Sequence, residues 1–301
     1  MFIKVHTKFI LTPLLDILRD GVTACSTLNK GIESYPLGEY YLQSLFLRMT
    51  GAQEQKMKCI CWEIATNDYT YRYNYLKGHH SEYSSYSEKN EVFVAMVNAI
   101  KSLDTSFEPE SLFTLINIKP SIEQHYKMCK AQAMIKIQND KKRRKNKPPL
   151  SSESKTKMVE VFMRKSLSDK ERFAALVIGH MYESLSGSIL SSFAEKDLYN
   201  FKVHSSELFQ ENNIAISDND FFSNVLQGIY TSVVWNHRNR CAHNITSYQH
   251  NLPTLDSLAD TKQKYNSYFF RYAILIMIDE IFRLIYQKYV FVMEHKNLES
   301  F

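Results

Sequence analysis

The sequence predicts an all-α protein, and three observations carry that prediction. Eight glycines and seven prolines in 301 residues fall well below average usage, too few turn formers for a many-stranded sandwich or barrel. Hydrophobic residues make up 44% and charged residues 23%, which excludes a disordered or fibrous chain and provides for a sizeable core. Apolar residues also recur at three- and four-residue steps over long stretches, the helical period.

Phe2 to Arg19 is apolar with mixed spacing, and Pro13 suits a first helical turn. A looser stretch with Gly31, Pro36 and Gly38 follows. From Glu39 to Thr66 the pattern is strongly helical, with Leu42, Leu45, Phe46, Met49, Ala52, Met57, Ile60 and Ile64 on one face. Gly51 inside this run costs about 1 kcal/mol relative to alanine, which close packing against another helix would offset. Tyr69 to Ser87 reads as a polar, tyrosine-rich connection, either a surface loop or a lid over a substrate. A helix then spans Glu88 to Leu103, with Val92, Phe93, Met96, Val97 and Ile100 inward.

Pro109 and Pro120 punctuate the next region, and a helix from Ser121 to Gln138 runs into a basic block that Pro148 and Pro149 end. Lys155 to Arg164 reads as a short amphipathic helix. Ser168 and Glu171 form a capping-box pair ahead of a helix from Asp169 to Phe193. Ser217 with Asp220, or Asp218 alone, caps a helix from Asn219 to Arg240, with Phe222, Val225, Leu226, Ile229, Val233 and Val234 inward. A polar turn, His243 to Pro253, precedes a last helix from Thr261 to Val290. This divides the chain into an N-terminal helical part (1–105), a helical insertion with the basic block (106–215) and a C-terminal part (216–301).

The formal charge of +5 is local. Lys136, Lys141, Lys142, Arg143, Arg144, Lys145 and Lys147 stand against one acid, Asp140. The block is either a solvated linker or localisation-like patch, or a surface that attracts a nucleic-acid backbone, and no aromatic residues interleave it to stack bases. Five scattered cysteines exclude a disulfide framework and suggest a reducing, cytoplasmic compartment. Met1 to Phe9 lacks the apolar core of a secretory signal, and Asp279, Glu280 and Arg283 interrupt the most apolar stretch, so no membrane span is expected. His79 and His80 have no ligand partners at diagnostic spacing, and no metal or cofactor is implied. Trp62 and Trp235 read as core or interface aromatics. The cluster Tyr265, Tyr268, Phe269, Phe270 and Tyr272 fits packing better than base stacking, or a subunit interface.

One segment concentrates chemistry. Trp235 to His243 reads WNHRNRCAH, with two arginines, two histidines and two asparagines at the end of an apolar helix. A helix C-terminus favours cations through its dipole, which is one reading. The segment also resembles the signature of the HEPN superfamily, all-helical domains of defence and toxin systems: an Arg, a polar residue, three to five further positions and a His. Arg238, Asn239, Arg240, Cys241, Ala242 and His243 fit it, at the end of one helix and before another apolar one. Leu45 to Lys58 resembles the first helix of such bundles, in which an acidic residue, here Glu54, faces the signature arginine.

The resemblance, which covers about residues 218–290, implies a HEPN-like bundle with a large helical insertion. It further implies a homodimer whose composite cleft holds Arg238 and His243 from each copy. RNA is the implied substrate and a metal-independent endoribonuclease the implied activity, in a prokaryotic toxin, abortive-infection or antiviral defence system with an antitoxin or regulatory partner. Asn239 would fix the histidine or a phosphate oxygen, Arg240 would add a phosphate contact and His237 would be structural. The chemistry suits the residue types. The 2′-OH of RNA is its own nucleophile, histidine moves protons near neutral pH, and arginine grips a phosphate bidentately. Five residues on a regular helix turn about 500°, leaving Arg238 and His243 about 140° apart, so a helix that ends or distorts around Cys241 is expected. A non-catalytic RNA-binding or scaffold protein and a nucleotide-modifying component are the alternatives.

Overall fold

The structure, a computed structural model, describes residues 5–27, 35–78, 82–115, 169–185, 188, 190, 200–201, 204–205, 207–243 and 265–299. Among them every regular element is helical: α1 (Val5–Leu11), α2 (Leu14–Ala24), α3 (Tyr35–Asn67), α4 (Tyr69–Lys77), α5 (Tyr86–Lys101), α6 (Asp169–Leu185), α7 (Asn224–Ile229), α8 (Asn236–His243) and α9 (Tyr268–Glu299). A π-helical turn, Tyr230–Trp235, joins α7 to α8. The basic block (Lys141, Lys142, Arg143, Arg144, Lys145 and Lys147 included), the helices expected at 121–138 and 155–164, Ser168, His79 and His80 lie outside the described residues.

From Tyr268 to Asp279 every residue of α9 is buried, and a helix apolar all round sits in the middle of its protein. The apolar face of α3, including Phe46, Met49, Met57, Ile60 and Ile64, packs against it. The buried stripe of α5, Val92, Phe93, Met96, Val97 and Ile100, does the same, and α1, α2 and α6 complete the shell. Gly21 lets α2 approach α3, since a Cβ there would stand 2.9 Å from Leu45 Cδ1. The described part of the expected insertion shares this core: Phe173, Val177 and Met181 of α6 are buried in it. No helix among the described residues is long and apolar enough to cross a membrane.

Several elements differ from expectation. Pro13 precedes the first turn of α2 and separates it from α1. Pro36 and Gly38 belong to the first turns of α3. The expected connection after Tyr69 is a helix, α4, because Asp68 caps it by accepting from Tyr71 N–H at 2.9 Å. No atom approaches within 4 Å of where a Cβ on Gly51 would stand, so close helix packing does not offset that glycine. The cap of α7 is Ser223, which accepts from Leu226 N–H, while Ser217 and Asp220 close a turn of their own. α9 starts seven residues after Thr261 and runs past Val290 to Glu299. Val225 is exposed rather than inward, and Tyr230 is buried in its place.

Candidate active site

The signature helix reaches its place through the π turn. The inward positions of this stretch are Leu226, Tyr230, Val233, Val234 and His237, three- and four-residue steps along one stripe. Arg271, buried on α9, locks the turn by donating from Nε to the Val233 carbonyl at 2.9 Å and from Nη2 to Asn266 Oδ1. The distortion therefore lies upstream of the signature. Residues 236–243 are helical without interruption, so the helix does not break at Cys241, and His243 is its last described residue. The His243 side chain lies outside what the structure describes.

Arg238 meets Glu54 of α3 across 184 residues of sequence. Nε donates to Oε1 at 3.2 Å and Nη2 to Oε2 at 3.3 Å, a bidentate pair whose side chains are 17% and 13% exposed. Nη1 donates to Asn239 Oδ1 at 3.3 Å, and Nη2 also reaches Glu82 Oε2 at 3.5 Å. Asn239 thus holds the arginine.

Behind this pair stands Lys89 of α5, fully buried and absent from the sequence expectations. Burial drives its ammonium pKa down to about 8, against the opposing pull of Glu54 and Glu88 and with the help of Arg238. Its Nζ donates to the carbonyl of Tyr83, a bulky residue at φ 59°, a left-handed conformation that costs about 1–3 kcal/mol and persists only when its surroundings impose it. Here they do. Tyr230 Oη donates to the Ser84 carbonyl at 2.7 Å, and Ser85 with Glu88 forms a capping box on α5. The segment 82–85 is thereby pinned beside Arg238. Lys89 had one signal in the sequence: it stands three and four residues before Val92 and Phe93, on the apolar stripe.

His237 and Arg240 face another way. Arg240 Nη2 donates to His237 Nδ1 at 3.3 Å, which leaves the ring proton on Nε2, 3.3 Å from Tyr268 Oη and 3.5 Å from Cys241 Sγ. Phe46 packs 5.2 Å from the ring. Burial first, then Arg271 and Arg240, lower the His237 pKa to about 2. The unfolded chain protonates this histidine below about pH 6.5 and the folded one does not, so its contribution to stability is whole above that pH. It is lost at up to about 1.4 kcal/mol per unit as the pH falls. Urea unfolding at pH 6.5 and 5.0 should show a loss about 2 kcal/mol larger in the native protein than in His237→Phe; equal losses would refute a buried neutral histidine.

The aromatic cluster of α9 is core: Tyr268, Phe269, Phe270 and Tyr272 are buried and Tyr265 packs on Phe270, so the cluster is not available for stacking or a subunit interface. Trp62 is exposed and Trp235 half-buried. Among the described residues no group of three or more His, Cys, Asp or Glu side chains is placed to hold a metal ion. Chemically, the site offers an arginine fork in a fixed orientation, a buried second cation and a histidine position at the helix end. No known family, curated protein or solved structure matches the chain.

Proposed function

We propose that the protein is a metal-independent endoribonuclease of HEPN type. The observation that carries this reading is the bidentate Glu54–Arg238 pair, which fixes the signature arginine in the first turn of α8 from a helix 184 residues away. Arg238 would meet the phosphate and stabilise its added negative charge as the 2′-oxygen attacks. His243 would take the 2′-OH proton or give one to the departing 5′-oxygen. The products are a 2′,3′-cyclic phosphate and a 5′-OH end, with no water consumed in that step.

The two positions lie about 140° apart around an unbroken helix. Convergence on one phosphate therefore calls for the histidine of a second copy, and the working form is a homodimer. A toxin or anti-phage role with an antitoxin or other regulatory partner follows the same resemblance. The second reading, a non-catalytic RNA-binding or scaffold protein, is favoured by how heavily Arg238 is engaged: Glu54, Glu82 and Asn239 take four of its five N–H donors.

Purified protein incubated with total RNA and tRNA in excess EDTA, beside the His243→Ala variant, separates the two. Cleavage leaving 5′-OH ends and lowered by about a hundredfold or more in the variant is expected of the enzyme. RNA binding without cleavage in either preparation selects the scaffold, and equal cleavage by both removes His243 from the mechanism.

A further inference from the structure

α4 buries none of its nine residues, yet it is rich in large apolar side chains. Tyr71 and Tyr75 turn inward and stack on each other, 6.0 Å apart at 13°, against the core. The opposite face carries Tyr69, Tyr73 and Leu76, which are 77%, 51% and 60% exposed. Their i, i+4, i+7 spacing makes one stripe on the outside of the helix. Such a stripe in water marks an interaction surface.

Charge selects its occupant. The sequence of α4, YTYRYNYLK, holds Arg72 and Lys77 and no acidic residue, and the Lys77 ammonium sits 4.2 Å from the Tyr73 ring centre. A two-fold contact of the stripe with a second copy would gather these cations with no carboxylate from the helix to balance them. A polyanion that also offers flat apolar faces suits both features, and an unpaired nucleic-acid strand is such a ligand.

The place fits as well. α4 turns back along α3, where Arg72 donates to the carbonyls of Ala65 and Thr66 at 2.6 and 2.9 Å and Tyr71 reaches Cys61. Glu54, which holds Arg238, lies two helical turns further in the same direction, about 10 Å from Cys61. Four residue steps, at most about 14 Å of chain, separate Gly78 after α4 from Glu82, whose carboxylate touches Arg238.

We propose that the outer face of α4 is a stacking strip for an unpaired RNA strand, with bases against Tyr69 and Tyr73, phosphates against Arg72 and Lys77, and the strand led toward Arg238. The choice of RNA over DNA rests on the ribonuclease reading above.

The test is fluorescence anisotropy with labelled oligo-U and a labelled RNA duplex, on the full chain carrying His243→Ala so that binding is read without cleavage. The single strand should bind at least about tenfold more tightly than the duplex, and Tyr69→Ala/Tyr73→Ala should erase that preference, since each stacked base contributes strongly to such binding. Tyr69→Phe/Tyr73→Phe should retain it. Unchanged single-strand affinity in the alanine variant, or no binding by the parent, overturns the strip even if the native protein cleaves RNA. Tyrosine-dependent self-association in sedimentation, without an effect on RNA, assigns the stripe to a second copy and overturns it too. Tyrosine-dependent binding without cleavage by the native protein keeps the strip and removes the nuclease.

Discussion

Replacing Lys56 by methionine is expected to cost about 3–5 kcal/mol of folding stability, a large share of the 5–15 kcal/mol typical of a folded domain. Lys56 on α3 and Asp279 on α9 form an ion pair at 2.6 Å, with side chains 4% and 1% exposed. Both have other duties. Pro13, at the cap position of α2, gives no side-chain cap, and Asp279 Oδ2 accepts from Leu14 N–H at 2.8 Å in its place. Lys56 donates to the Thr12 carbonyl at the joint between α1 and α2. Burial pulls both groups toward their neutral forms, raising the Asp279 carboxyl and lowering the Lys56 ammonium, so each is costly without the other. Methionine keeps the length of lysine and leaves a buried carboxylate with only Leu14 as donor. The double change Lys56→Met/Asp279→Asn keeps that acceptor, removes the stranded charge and should recover at least half of the loss. Urea midpoints of the three proteins decide it. If the double variant is no better than the single, the pair is not what joins α3 to α9.

Arg271→Met should produce the second large effect, a loss of about 2–4 kcal/mol, because it leaves the Val233 carbonyl and Asn266 Oδ1 without this buried donor. Its consequence reaches the site. Without the lock the π turn has reason to relax to a regular helix, which would rotate α8 by about 100° and carry Arg238 away from Glu54. The Nε–H of Arg238, protected in the native protein by its bond to Glu54, should then exchange rapidly with solvent in NMR spectra. Arg271→Lys keeps a charge but not the fork, and should fall between. Slow Arg238 exchange in the methionine variant would separate the π turn from the placement of the signature.

The helices that pack the centre were legible because their stripes follow one period from end to end. All five expected apolar positions of α5 are buried, and seven of the eight named on α3. α4 was not legible: tyrosines at every second position, Tyr69 to Tyr75, put aromatic rings on both faces of a helix, so polar and apolar faces do not separate, and the helix depends on the Asp68 cap. The π turn had no signature either, since one extra residue inside an apolar run changes phase and not composition. Glu54 and its pairing with Arg238 were both expected through resemblance, and the bidentate geometry of the pair came from the fold. Lys89 was overlooked because a lysine on an apolar stripe reads as its solvated edge, until Glu54, Glu88 and the Tyr83 carbonyl are seen around it.

The 184 residues between Glu54 and Arg238 also set a clock. At ribosomal speeds of about 5–20 residues per second, on the order of ten to forty seconds pass between making the acid and making the arginine. α9, against which α3 and α5 bury their faces, is synthesised after both. A nascent chain in that interval holds Glu54 and Lys89 without Arg238, and an apolar α3 without its central neighbour. The arginine site cannot assemble before the chain reaches Arg238, and in the same interval the exposed helices are candidates for chaperone attention.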